Sequence, residues 1–354
     1  MDATCQETFS IQRYLVANSS SGAPVDTQAL AKKAAEFTTS DFIEERILPL
    51  IHVALNGHGS SCHSEIVQNT GTGRLTLRYD FGAENVFFAK LYCDDLGSRC
   101  YEINSILWEA GFNATSPYRV PQPVGFLSEH NLLLMRSVPG TPLGAAFNGH
   151  AVDLLIAGSR EAAKWLAALH HSSLNTGMPD SDWDSLKLFR MAGRLIKAIA
   201  ARPEKLDTVR GLMDMLKKRI EELPANRTLV FTHGRYHHDH VFLSPGATAV
   251  IDLDRCRPSD PAKDAAEFIR VLRLTAFKKA FDMAIVEEAT TAFLGAYLAE
   301  VPEAAASLGC YWATFVFHSL LGGLKKDRAK GTRSWEELMQ FYVSEMLRAL
   351  DFAR

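Results

Sequence analysis

The chain has 354 residues, 47 % apolar and 22 % charged, ordinary for a soluble globular protein and long enough for two domains or two lobes of one fold. Its net charge of −3 argues against nucleic acid or an anionic membrane as a bulk partner. Apolar runs such as Ala313–Phe317 are too short to span a bilayer. The N-terminus carries Asp2 and Glu7 and lacks a basic-then-apolar leader pattern, so a cytoplasmic protein is expected. The cysteines, Cys5, Cys62, Cys93, Cys100, Cys256 and Cys310, show no C-x-x-C spacing and read as free thiols.

The first forty residues are polar and small, with SSSGAP at Ser19–Pro24 reading as a turn or linker. Asp41–Leu55 has helical spacing, with Asp41 as its expected N-cap and Pro49 as a point where it kinks or splits. HSEIVQ, RLTLRYDF and NVFFAKLY then read as three antiparallel strands. In the second, Leu75 and Leu77 face one way and Arg74, Thr76 and Arg78 the other. Tyr101–Phe112 is an amphipathic helix closed by Gly111. VPQPVGFL and NLLLMRSV are two further strands, and PGTPL a turn. From Asp153 the pattern is mostly helical, interrupted by one short strand, a loop and a hairpin. A β-rich first half followed by a helical second half is the α+β pattern with two lobes.

The interruption, THGRYHHDHVFLSPGATAVIDLDR, holds the chemistry. His233, His237, His238 and His240 with Asp239 invite a metal-centre reading, but neighbours on a strand point to opposite sides and could not all reach one ion without a special loop. The other reading uses the hairpin. A buried strand ends in Asp252, with Asp254 two residues on, and two acids at a hairpin's mouth suit a hard cation carrying phosphate.

This stretch resembles the catalytic and metal loops of the aminoglycoside phosphotransferase and choline kinase family, a branch of the protein-kinase-like fold. The family pattern H-G-D-x-x-x-x-N, then V-I-D-x-[DE], then G-D-P-x-x-D appears here as His233-Gly234-Arg235 to His240, Val250-Ile251-Asp252-Leu253-Asp254 and Ser259-Asp260-Pro261-Ala262-Lys263-Asp264. The resemblance runs from about Glu65 to Phe268. It implies a two-lobed α+β fold, read here as an N-lobe at 41–140 and a helical C-lobe at 141–354; it does not explain the extension at 1–40. It implies ATP with Mg²⁺ or Mn²⁺ as cofactors and a small-molecule hydroxyl as acceptor. Lys90 on the third strand and Glu102 on the next helix would hold the nucleotide's phosphates, as such kinases require. Gly71 and Gly73 would cover them, and backbone groups around Met135–Val138 would meet the adenine. Asp252, with His240 and Asp254, would hold the cation. Leu166–His170 matches the family's L-x-x-L-H helix. His233 and Asp264 would brace the loop.

The departure is Arg235, which stands where the family carries its aspartate and cannot accept a proton. Three roles stay open: Arg235 stabilises charge on the phosphoryl group, Asp239 serves as base instead, or Arg235 pairs with Asp252 or Asp254 and fills the cation's place, leaving a pseudokinase. His240 stands where the family has an amide, and imidazole suits manganese better than magnesium. Candidates for meeting the acceptor are Asp182, Trp183, Asp184, Tyr311, Trp312 and Trp335.

Overall fold

The computed structural model describes residues 27–52, 55, 61–69, 74–82, 85–93, 96–149, 151–174, 203–223, 228–325 and 334–352. They fall into two compact units that divide between Val138 and Pro139.

The N-terminal unit is a five-stranded sheet. Strands β1 (His63–Asn69), β2 (Arg74–Asp80) and β3 (Val86–Tyr92) form the expected antiparallel meander. A two-residue strand β4 (Tyr118–Arg119), then β5 (Pro123–Leu127) and β6 (Leu132–Arg136) follow, and the sheet order is β1-β2-β3-β6-β5. The alternation in β2 is as its side chains require: Leu75, Leu77 and Tyr79 are buried, and Arg74, Thr76 and Arg78 are half-buried on the other face.

Two helical layers cover this sheet. Leu75, Leu77, Phe87, Ala89, Leu91, Leu132 and Leu134 pack with Ala34, Phe37, Ile43, Ile47 and Ile51. The last five come from helix α1 (Thr27–Phe37), a π-helical stretch Ile43–Ile47 and helix α3 (Leu48–Ile51), and the short helix α2 (Ser40–Phe42) adds Phe42. Helix α1 lies where the sequence pattern gives no element. It is tied down by the buried Tyr79 hydroxyl, which donates to the Phe37 carbonyl at 2.9 Å. The N-cap is Thr39, not Asp41: the Thr39 hydroxyl accepts from the Phe42 N–H, and Asp41 lies in the first turn. Pro49, which lacks an N–H, is accommodated by the wide turns just before it, so the helix continues without breaking. On the opposite face, helix α4 (Leu96–Glu109) packs Cys100 with Tyr92, Leu133 and Met135. It ends as expected at Gly111, which takes φ +101° while the Phe112 N–H reaches back to the Leu107 carbonyl.

The C-terminal unit opens with a two-residue strand β7 (Thr141–Pro142) inside the stretch expected to be only a turn. Helices α5 (Ala146–Gly149), α6 (Val152–His171), α7 (Pro203–Glu221), α8 (Ala262–Lys278), α9 (Met283–Glu300), α10 (Ala305–Lys325) and α11 (Trp335–Asp351) make up its bulk. The hairpin β9 (Val241–Ser244) and β10 (Ala247–Val250) turns at Gly246, φ +74°, and β7 pairs with β9. Strands β8 (Val230–Thr232) and β11 (Arg257–Ser259) form a separate ladder that brackets the hairpin.

The architecture is α+β, with a β-rich N-terminal unit and a mainly helical C-terminal unit. Among the described residues no helix is long and apolar enough to cross a membrane, and none of the cysteines forms a disulfide.

Candidate active site

The loop between β8 and β9 is built downward from two backbone amides. Asp264, in the first turn of α8 and almost wholly buried, accepts from the His233 N–H at 2.6 Å and from the Gly234 N–H at 2.8 Å. His170, at the end of α6, reaches the same carboxylate through Nε2 at 3.2 Å, and its Nδ1 lies 2.8 Å from the Tyr297 hydroxyl. Tyr297 in turn donates to the Pro261 carbonyl at 3.1 Å. Burial pushes the Asp264 carboxyl up, but the hydrogen bond from His170, the electrostatic field of the two neighbouring imidazoles and the His233 N–H outweigh it and hold it below its ordinary value. Gly234 takes φ +77°, and a methyl group there would run into the Arg255 carbonyl, so only glycine makes this turn.

His233 cross-links the loop to the hairpin. Its Nδ1 accepts from the Arg235 N–H at 3.3 Å, which leaves Nε2 to donate to the Ile251 carbonyl at 3.0 Å. Tyr236, fully buried, stacks between Trp165 and Phe268, and its hydroxyl donates to the Ala162 carbonyl at 2.7 Å. The geometry of His233 and Asp264 is that of braces.

The rim of the loop is looser. His240 Nδ1 donates to the Arg235 carbonyl at 3.2 Å, a carbonyl being able only to accept. Its other nitrogen, Nε2, lies 3.4 Å from Asp252 Oδ2. Asp252 directly follows β10 and is held in the left-handed region, φ +67° and ψ +56°, uncommon for any residue but glycine. Arg235 presents a guanidinium nitrogen 3.9 Å from the same Oδ2. Asp254 is buried in the 3-10 turn that follows.

The histidines do not form one centre. The His237 ring lies 3.6 Å from that of His240, centroid to centroid, while His238 is fully buried edge-on against Phe147. Burial holds His237 well below the ordinary imidazole range, helped by His240, His238 and Arg235 and opposed only by Asp252. Burial lowers His238 as well, against the pull of Asp239. Asp239 is half-exposed. Its carboxylate lies against Gly144 and 3.5 Å from His238 Nε2.

Among the described residues no group of three or more His, Cys, Asp or Glu side chains could hold a metal ion. The donors present are a carboxylate and an imidazole nitrogen on one side of the loop. That pair fits a cation that arrives with other ligands, such as phosphate oxygens and water, and does not fit an all-protein cage.

In the N-terminal unit, Lys90 is half-buried in the middle of the sheet, between Thr76 of β2 and Leu133 of β6, on the face opposite Phe87, Ala89 and Leu91. Glu102 is exposed, roughly opposite the buried side of α4 formed by Cys100, Ile103, Asn104 and Leu107. No ion pair joins Glu102 to Lys90 among the described residues. Met135 is buried in β6, paired through its backbone with Phe88 and Pro123, and Val138 is half-buried just beyond that strand. Gly71 and Gly73, like Asp182, Trp183 and Asp184, lie outside the described residues. Tyr311 and Trp312 are corrected from acceptor candidates to core: both are almost wholly buried, with Lys263 over the ring of Tyr311 and Arg273 over that of Trp312.

Two supporting residues have roles that the sequence alone does not give. The L-x-x-L-H helix marks His170 but not its partner, although an imidazole on an apolar face needs one. For Tyr236 the signal is weaker, a single aromatic in a run of histidines.

No curated protein matches the chain. Solved structures do, at low identity. The ethanolamine kinase of Plasmodium vivax superposes with a TM-score of 0.51 at 12 % identity, covering 92 % of this chain and 95 % of its own. A choline/ethanolamine kinase family protein from Mesorhizobium loti gives 0.52 at 13 %, with the same coverage. A spectinomycin phosphotransferase, solved with ADP and spectinomycin, gives 0.56 at 14 %, covering 85 % of this chain and 97 % of that one. These likenesses show the protein-kinase-like fold. The sequence profile of the phosphotransferase enzyme family, APH, matches residues 99–307, more than half of the chain, including the braced loop and Asp252 but not Lys90. The chain therefore belongs to the APH phosphotransferase enzyme family.

Proposed function

We propose that the protein is an ATP-dependent phosphotransferase acting on a hydroxyl of a small molecule, and that it works in the cytoplasm. The observation that carries this reading is the Asp252–His240 pair, 3.4 Å apart on a loop whose backbone is fixed by a buried carboxylate. Asp252 and His240 would hold a Mg²⁺ or Mn²⁺ ion, with the buried Asp254 as a supporting assignment; the ion's contribution when bound is to neutralise the nucleotide's phosphates. Lys90 is assigned to those phosphates, and the backbone around Met135–Val138 to the adenine. Glu102, Gly71 and Gly73 are supporting assignments.

In the reaction the acceptor's hydroxyl oxygen bonds to the γ-phosphorus, the bond from that phosphorus to the β,γ-bridging oxygen breaks, and ADP departs. Arg235 cannot take the hydroxyl proton, which passes to water or to Asp239. Losing a positioned base costs about 10²–10⁴-fold in rate. Phosphoryl transfer rests mainly on positioning and charge neutralisation, so turnover survives at a reduced level. The test is ATP consumption with Mg²⁺ or Mn²⁺ across sugars, amino alcohols and aminoglycosides. Wild type should phosphorylate at least one acceptor and Asp252→Ala none. Undiminished transfer by that variant would refute the assignment.

The Arg235–Asp252 approach of 3.9 Å favours a second reading, a pseudokinase whose guanidinium occupies the cation's place. It predicts a thermal shift with ATP that is absent or needs no metal, where the enzyme predicts a metal-dependent one. Arg235→Asp would then raise ATP turnover sharply.

A further inference from the structure

Arg235 is the charged group that the loop satisfies least. Its backbone is pinned on both sides, the N–H by His233 and the carbonyl by His240. Among the described residues its guanidinium, 30 % exposed, makes no hydrogen bond, and its one ion partner stands at 3.9 Å, beyond hydrogen-bond reach. A second, independent guanidinium has the same character. Arg257, opposite Thr232 on the β8–β11 ladder, makes a single long bond from Nε to the Arg255 carbonyl at 3.4 Å and pairs with no carboxylate among the described residues. Asp239, the loop's other exposed acid, lies against Gly144 and His238.

A cation held by Asp252 and His240 would compete for the one carboxylate that Arg235 approaches. Two like charges would then face each other across a few ångströms, an arrangement that an anion between them relieves. A guanidinium offers donors in a planar fork, which matches carboxylate and phosphate oxygens two at a time. We propose that the acceptor hydroxyl belongs to a molecule that also carries an oxyanion, a phosphate or a carboxylate, and that Arg235 binds that oxyanion, with Arg257 adding to the local positive field. This rests on the phosphotransferase reading and names its substrate class.

The test is calorimetric titration of the full chain loaded with Mn²⁺ and β,γ-imido-ATP, so that the nucleotide's phosphate place is already filled. The probes are matched sets: glycerol 3-phosphate and glycerate against glycerol and ethanolamine, and glucose 6-phosphate against glucose. At least one anionic probe should bind no less than tenfold more tightly than its uncharged counterpart. Arg235→Gln should weaken that probe by roughly tenfold to a hundredfold, the value of a charge-assisted bidentate contact. Arg235→Lys should recover part of the loss, which a merely structural role would not give. Anionic probes that bind no better than neutral ones, or that bind Arg235→Gln as well as wild type, overturn the proposal. Turnover separates the two levels. Phosphate transfer to ethanolamine as readily as to every anionic probe would sink the anion site and leave the phosphotransferase standing. Arg235-dependent anion binding with no transfer to any acceptor would sink the phosphotransferase and leave the anion site.

Discussion

Arg235 and its two predecessors differ sharply although they are consecutive. His233 and Gly234 give both their amide protons to a carboxylate that is 1 % exposed, and that carboxylate has its own buried partner in His170. Arg235 keeps 30 % of its side chain exposed and meets Asp252 only at 3.9 Å. The lower side of the loop is a folding problem, solved with saturated hydrogen bonds in a low-dielectric setting where a missing partner is costly. The upper side is a surface with few constraints. A change there is expected to leave the fold intact, so the loop can keep the His-Gly turn of its family with an arginine as the next residue.

The comparison breaks most visibly at Asp264. Asp264→Ala strands two amide protons and His170, and should cost on the order of 3–5 kcal/mol, read from the urea midpoint by circular dichroism. Gly234→Ala places a side chain at positive φ against the Arg255 carbonyl and should cost on the order of 2–4 kcal/mol in the same measurement.

Acidification sharpens the contrast. The folded-state value of Asp264 lies below that of the unfolded chain, near 3.9 for an aspartate. Its stabilisation is therefore fully present above that unfolded value and is lost as pH falls through the folded one. The stability gap between wild type and Asp264→Ala should stay constant from pH 7 down to about 5 and close below about 4. Arg235→Ala is the smallest effect: its midpoint should shift by no more than about 0.5 kcal/mol, as at an exposed, weakly paired position. A loss there comparable to that at Asp264 would mean the rim is part of the scaffold.

Much of this was legible because it is local. The histidine-glycine turn, the strand ending in Asp252 and the acid opening α8 lie within one continuous stretch, and their order identifies the loop. Strand alternation in β2 and the Gly111 stop follow from side-chain period and backbone freedom alone. The brace was harder to read. His170 and Asp264 are 94 residues apart, and nothing in either neighbourhood names the other. Helix α1 was missed because its few apolar positions matter only once a sheet lies beneath them. The Lys90–Glu102 pairing that the resemblance implies depends on the rotation of α4 about its axis, which no local pattern states; packing of Cys100, Ile103 and Leu107 sets that rotation, with Glu102 on the exposed side.

Asp252 holds a conformation that glycine would adopt at no steric cost and that aspartate adopts at about 1 kcal/mol. Replacing it by glycine should relax the chain while deleting the carboxylate that faces His240. Thermal tolerance and chemistry would then respond in opposite directions to one substitution. A library selected for heat resistance alone should erode this position, and one selected for turnover should retain it.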